Sequence, residues 1–418
     1  MIEFNFCDIY TSSGIVGLIR MLDLNNASKY YKIEDNKLKI DKDFLLNADL
    51  SQMYFDAFVK KYYNFLNYNQ IIDELNNLKN DKELVQEKRK QKKSKIRKKL
   101  LSDRYISAYT IVKNKVDFDI LADIEMFKND DSYTSKLLED LNNDTLKEIM
   151  LIKDVAYSII SRFWSGISFL NRQGNLKDPK EEFKRSFEIP LKNYILKEVK
   201  SEEYCSECGE KIKGSNKMKP SYVISLAEDF TRKASNYWNF KPTCFICPKC
   251  NFLFSLIPLG FSLCNDEYIF INLNSSLEAL VKSNNFFQNN NICDSFENLI
   301  NEFSLHDNNP FVEIVINDSN NYDNIYVSSI SFNLILKNID ILKDIAKYPI
   351  LEIKDSYVNI PYRKNLESNY LNILNIVFTA LLKNQPLFPL LHFLIEAEET
   401  NSFARFYQER IYKIIYSK

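Results

Sequence analysis

The sequence predicts an α+β protein: a helix-rich N-terminal domain with an inserted four-cysteine, zinc-ribbon-like module and strands, followed by a C-terminal helical bundle. Three observations carry this expectation. Apolar residues recur at three- and four-residue steps through much of residues 1–200 and again from Asn333 onward. Two Cys-x-x-Cys pairs, Cys205/Cys208 and Cys247/Cys250, are separated by 38 residues. After the second pair the pattern changes to short β-branched and aromatic runs bounded by turn formers. The expected divisions are 1–200, with a basic segment at 86–104; 201–275 for the metal module and adjoining strands; 276–332 as a mixed α/β continuation of the N-terminal domain; and 333–418 for the bundle.

At 418 residues, with 45% hydrophobic residues and only seven glycines, the chain can bury a large core in two or three domains. It opens without a basic stretch leading into an apolar leader, and no run is apolar enough to span a bilayer. Together with cysteines paired for metal, this gives the expectation of a cytoplasmic protein with no membrane partner. Net charge is −1, but its distribution is lopsided. Between Gln86 and Arg104 there are ten basic residues against Glu87 and Asp103, leaving 45 basic and 54 acidic residues elsewhere. Concentrated positive charge on an otherwise acidic body is the electrostatic footprint of a polyanion contact.

Taken in order, Ser12 or Ser13 could cap a helix in which Ile15, Leu18, Ile19 and Leu22 share a face. Gly17 inside it costs roughly 1 kcal/mol relative to alanine, so another backbone is expected close by, either a packed helix or a nucleic-acid or partner surface. Residues 30–40 read as a hairpin turning at Asp35-Asn36, and residues 51–79 as helical, with Phe55, Phe58, Tyr62, Phe65 and Leu66 as core. Then come Lys88, Arg89, Lys90, Lys92, Lys93, Lys95, Arg97, Lys98 and Lys99, nine like charges in twelve residues. An ordinary exposed helix face mixes in acids at four-residue offsets. This run gains most by docking on phosphates, the alternative being a solubilising run, and it carries no base-reading signature. Residues 104–128 are mixed. Asp144 is expected to cap a helix running from Thr145 to about Leu170, and Glu181–Glu198 is amphipathic with a break at Pro190. Phe252–Ile257 and Tyr268–Leu273 read as strands around Pro258-Leu-Gly-Phe261, with a further hairpin from Phe311–Ile316 and Asn324–Phe332. Helices are expected over 333–346, 365–384, 389–399 and 402–417.

Cys205, Cys208, Cys247 and Cys250 have the spacing of two zinc knuckles, in which each tight turn aims two thiolates at one ion. Gly209 suits the left-handed residue after the first pair, and Asn251 is the next best choice after the second. The gap exceeds the about 15–20 residues of the common ribbon, so residues 210–246 are an insertion. Buried apolar thiols or a redox pair are the alternatives, and Cys244 offers a competing Cys-x-x-Cys with Cys247. A four-thiolate site leaves no open position for water, so a Zn2+ ion here is structural. Catalytic constellations are lacking. Gly209–Gly214 has the glycine spacing of a phosphate loop, but Ser215-Asn216 stands where Lys-Ser/Thr must follow. His306-Asp307 would need several more histidines for a metal phosphohydrolase, and His392 is the only other one. The chain is therefore expected not to be an enzyme, with a carboxylate-only nuclease left as a minor alternative.

The early Gly14-Ile-Val-Gly-Leu-Ile-Arg20, Phe163-Trp164, the two cysteine pairs with a long gap, Pro258-Leu-Gly-Phe261 and Ile269-Phe-Ile-Asn272 together resemble the CRISPR-associated CXXC-CXXC family, the large subunit of type I-B Cascade complexes. The resemblance covers roughly residues 10–275, the later helices matching only in character. It implies a non-catalytic subunit that works with other Cascade subunits and guide RNA. Such a subunit recognises the motif beside a double-stranded DNA target and provides a landing surface for the helicase-nuclease. The competing class is a stand-alone zinc-ribbon protein that binds nucleic acid.

Overall fold

A computed structural model describes residues 1–6, 8–81, 86–196, 203–212, 216–223, 245–264, 267–273, 275–287, 291–303, 312–318, 321–352, 370–398 and 401–417. The chain divides into two compact units, Met1–Gly260 and Phe261–Lys418. It is α+β, as expected. Residues 276–332, expected to continue the N-terminal domain, lie instead in the second unit with the late helices.

Unit 1 opens with an antiparallel sheet of β1 (Ile2–Phe4), β2 (Tyr31–Glu34) and β3 (Lys37–Ile40), in the order β1-β3-β2. Asp35 and Asn36 make its turn with φ of 55° and 59°, the left-handed pair that a two-residue hairpin requires. Helix α1 (Ile9–Leu24) is buried continuously from Thr11 to Leu22. Its cap is Asp8 and not Ser12 or Ser13. The Asp8 carboxylate accepts from the Thr11 amide at 2.8 Å, and the Thr11 hydroxyl accepts from the Asp8 amide at 3.1 Å. Carboxylate and hydroxyl thus satisfy two otherwise orphaned donors, and the serines fall inside the helix.

There follow α2 (Lys42–Asn47), α3 (Leu50–Tyr62), α4 (Asn67–Asn80), α5 (Gln86–Leu100), α6 (Asp103–Val112), α7 (Ile120–Asn129), α8 (Tyr133–Leu141), α9 (Asp144–Ser158), α10 (Pro179–Phe183) and α11 (Ile189–Leu196); α3 packs on α1 and on α9, while α4, α5, α7 and α8 pack on one another. Phe55, Phe58, Tyr62 and Leu66 are core as expected, but Phe65 is 58% exposed. Helix α9 is capped by Asn143, whose side chain accepts from the Thr145 and Leu146 amides. It stops at Ser158, well short of Leu170, where Ile159 and Ile160 lower helix propensity and a 3-10 turn takes over. The chain stays helical from α10 through a π-turn at Lys184–Glu188 into α11, so Pro190 sits within a helical run where a break was expected. The unit continues with a short hairpin, β4 (Glu203–Tyr204) and β5 (Lys211–Ile212), and ends with α12 (Pro248–Ser255) and α13 (Ile257–Gly260). The Phe252–Ile257 strand is therefore a correction. A short run buried on every side has no period to separate strand from helix, and Pro248 at the first helical position decides for helix.

Unit 2 is built on a four-stranded antiparallel sheet of β6 (Ser262–Cys264), β7 (Glu267–Asn272), β8 (Val312–Asp318) and β9 (Asn321–Val327), in sequence order. Strand β6 begins at Ser262, opposite Ile269, so Ile271 on β7 would have unpaired backbone on that side. The Asn284 amide fills the gap, accepting from Ile271 N at 2.9 Å and donating to its carbonyl at 2.8 Å. Helices α14 (Leu277–Asn285), α15 (Ile292–Phe303), α16 (Ser329–Lys337), α17 (Ile339–Ala346), α18 (Ile373–Leu382), α19 (Phe388–Glu398) and α20 (Ala404–Tyr416) share one apolar core with the sheet, and β10 (Ile350–Glu352) pairs with β11 (Tyr370–Asn372). The helix expected from 365 begins at Ile373; residues 370–372 are strand, and 365–369 lie outside the described residues. Among the described residues no helix is long and apolar enough to cross a membrane.

Candidate metal centre

The first cysteine pair sits in the turn of the β4–β5 hairpin. The Cys205 amide donates to Glu210 O at 2.8 Å and the Gly209 amide to Cys205 O at 3.1 Å. Gly209 takes φ of +68°, as the knuckle geometry predicts. The second pair is built differently. Cys247 is the N-cap of α12, its sulfur accepting from the Cys250 amide at 3.4 Å, and Asn251 is a buried helical residue without the left-handed backbone expected of it. The half-sites are joined by the Ser206 amide on Phe245 O at 2.9 Å and by the Cys247 amide, which donates to Cys205 Sγ at 3.2 Å.

These turns bring the four sulfurs of Cys205, Cys208, Cys247 and Cys250 within 4.8 Å of one another, with Cys208 and Cys247 at 3.6 Å. A tetrahedron with metal–sulfur bonds of about 2.3 Å needs sulfurs about 3.8 Å apart, so the set fits a metal ion. No disulfide joins them, three are buried, and Cys208 is half-buried. Hydrogen bonding to Cys208 and the other thiols holds Cys205 well below the usual thiol range, while Cys205 and the same crowding push Cys247 and Cys250 far above it. Four thiolates this close cannot coexist without a cation, and a bound dication would supply that charge. Cys244 lies outside the described residues.

Two features would balance the excess negative charge of a dication held by four thiolates. One is the N-terminus of α12, whose Cys250 amide donates to Cys247 Sγ. The other is Lys249, between the paired cysteines and only 5% exposed. Its ammonium donates to Glu3 O at 2.9 Å and to the Glu210 carboxylate, and stands over the Phe4 ring at 5.7 Å. Burial works against that charge, but Glu210 and the nearby Cys208 and Cys247 hold the lysine above its ordinary range. Lys249 thus ties the centre to β1, a role with no sequence signal beyond its place in the motif.

The other motif residues hold α12 and α13 in position. A Cβ on Gly14 would lie 2.6 Å from Leu253 O, and one on Gly17 2.1 Å from Leu256 O. Arg20 and Lys61 donate to Leu259 O at 3.0 and 2.8 Å, and Tyr54 and Trp164 both donate to Ser255 O, at 3.0 and 3.3 Å. Gly14-Ile-Val-Gly, Trp164 and Pro258-Leu-Gly are therefore the seat of the helix that carries two cysteines. Of the two readings of Gly17, the packed helix is the one found.

The nine predicted nucleic-acid residues all lie on α5, but not on one face. Arg89 pairs with Asp131 at 2.8 Å, Lys93 with the same carboxylate at 2.5 Å, Arg97 with Glu125, and Lys99 with Glu74 at 2.8 Å. Lys88, Lys90, Lys92, Lys95 and Lys98 are exposed. The partner acids come from α4, α7 and the α7–α8 connection, which local sequence offsets do not reveal. His306 lies outside the described residues, and His392 is exposed.

Fold and site define a two-unit α+β protein with a closed four-cysteine centre. Residues 198–262, which contain all four cysteines, match the family model of a CRISPR-associated protein (Cas_CXXC_CXXC). No curated protein and no solved structure matches the chain.

Proposed function

We propose that this CRISPR-associated chain is the non-catalytic large subunit of a type I-B Cascade complex, with Zn2+ as a structural ion in the Cys205/Cys208/Cys247/Cys250 site. The observation that carries the reading is the fully thiolate-ligated centre inside the segment that matches the family. Four protein ligands leave a zinc ion no position for water or substrate, which suits a clip more than a catalyst. In such a complex guide RNA pairing reads the sequence, while the protein reads the adjacent duplex and holds backbone by charge. α5 is the element on this chain suited to the second task. The subunit then recognises the target-adjacent motif and presents a surface to the helicase-nuclease.

The test is affinity purification of the tagged chain from its native cells. The proposal expects a multi-subunit particle with short guide RNA. A chain recovered alone and free of such RNA contradicts it and favours the stand-alone nucleic-acid-binding protein.

A further inference from the structure

We propose that α5 is a sequence-indifferent clamp for a phosphodiester backbone, in which only Lys88, Lys90, Lys92, Lys95 and Lys98 meet phosphates while Arg89, Lys93, Arg97 and Lys99 dock the helix. The inference rests on the nucleic-acid reading above and narrows it to residues and mode. Helix α5 is held by Ile96 and Leu100, both fully buried, and by cations that reach acids on other elements: Glu74 on α4, Glu125 on α7 and Asp131 between α7 and α8. Lys93 is the innermost, 7% exposed and 4.9 Å above the Phe127 ring. These four cations are already engaged by three carboxylates, Arg89 and Lys93 sharing Asp131.

The other five are not. All are exposed, and among the described residues none forms an ion pair. Lys88, Lys92, Lys95 and Lys98 follow one stripe at successive four- and three-residue steps, and Lys90 stands on the opposite flank of the exposed arc. Lys88 to Lys98 spans about 15 Å at 1.5 Å per residue. That matches about four nucleotides of one strand at 3.4 Å each.

The chemistry of the outer face selects the ligand. Every exposed residue of α5 is Lys, Gln, Glu or Ser, so nothing apolar is offered to a bilayer or to the core of a protein interface. Both arginines, which could read guanine edges bidentately, are turned inward onto carboxylates. The outer face is left with point charges that bind phosphate and discriminate no base.

Binding of the full chain to two unrelated DNA duplexes, to single-stranded DNA and to RNA, followed by anisotropy between 50 and 200 mM salt, tests this. With all five lysines engaged, the two duplexes bind alike and affinity falls about 500-fold over that range. Changing Lys88, Lys90, Lys92, Lys95 and Lys98 to Gln removes most of the salt slope and leaves the melting temperature unchanged. Changing Arg89 and Arg97 to Gln lowers the melting temperature and keeps the slope. If wild type binds with a steep salt slope and the five-lysine variant binds equally well, the inference is overturned while the nucleic-acid reading stands. A sequence preference that disappears with these lysines also overturns it. Wild type that binds none of the probes sinks the nucleic-acid reading itself.

Discussion

Gly17→Ala is expected to destabilise unit 1 even though alanine is the better helix former. The added Cβ would stand 2.1 Å from Leu256 O, 3.0 Å from its carbonyl carbon and 3.1 Å from the Gly260 amide. All three are backbone atoms, so no side chain can swing away, and α13 must retreat by about 1 Å to restore ordinary contact. The retreat is opposed by Arg20 and Lys61 on Leu259 O and by Tyr62 on Pro258 O. Overpacking costs about 1–3 kcal/mol and each stretched hydrogen bond about 1 kcal/mol more, against a gain of about 1 kcal/mol from helix propensity. With all three hydrogen bonds stretched the net loss is about 3–5 kcal/mol, which in a unit of this size lowers the melting temperature by about 6–20 °C. Because α12 carries Cys247 and Cys250, metal loss to a chelator should also accelerate. Calorimetry and chelator kinetics on the full chain measure both. A melting temperature unchanged within about 1 °C, or raised, would refute the backbone-to-backbone contact. Gly209→Ala is the contrast: nothing lies within 4 Å, so its φ of +68° is the whole constraint, and the expected loss is only about 1–2 kcal/mol.

Changing Cys205 and Cys247 together to Ser should abolish metal content and lower thermal stability; retention of both would remove these residues from the site. Lys249→Met should leave metal stoichiometry intact but speed its loss, because the buried ammonium that offsets the thiolates is gone; an unchanged rate would show that the charge is balanced elsewhere. Lys153 is 1% exposed, donates to Asn175 O and Oδ1, and is pulled down to about 8 by burial. Above that pH the native state has released its proton while the unfolded chain, near 10.4, still holds it, so stability rises with pH. Relative to Lys153→Met, the wild type should gain up to about 3 kcal/mol between pH 8 and 10.5, measured by denaturant unfolding; a flat difference would contradict the burial.

The four cysteines and the hairpin at Asp35-Asn36 were legible because spacing and turn chemistry are local. So was the close approach at Gly17, although its partner Leu256 lies far along the chain. What sequence order concealed was the build of the second half-site. Cys247-Pro-Lys-Cys250 opens a helix, with the proline as its first residue, where the spacing alone predicts a second knuckle turn. The apolar run that follows is buried on every side and so has no period that separates strand from helix. On α5 the sequence displays nine cations without acids and cannot tell that Asp131, Glu125 and Glu74 arrive from other elements to pair with four of them, Arg89 and Lys93 sharing Asp131. The placing of residues 276–332 with the late helices depends on β7 pairing with β8, a long-range contact that no local pattern encodes.

The most direct test of the functional account is target-duplex binding by the guide RNA particle reconstituted with and without this chain. The account predicts that the particle without it retains guide RNA but loses binding to duplex bearing the target-adjacent motif, and that adding the chain back restores it. Equal binding by the two particles would contradict the account.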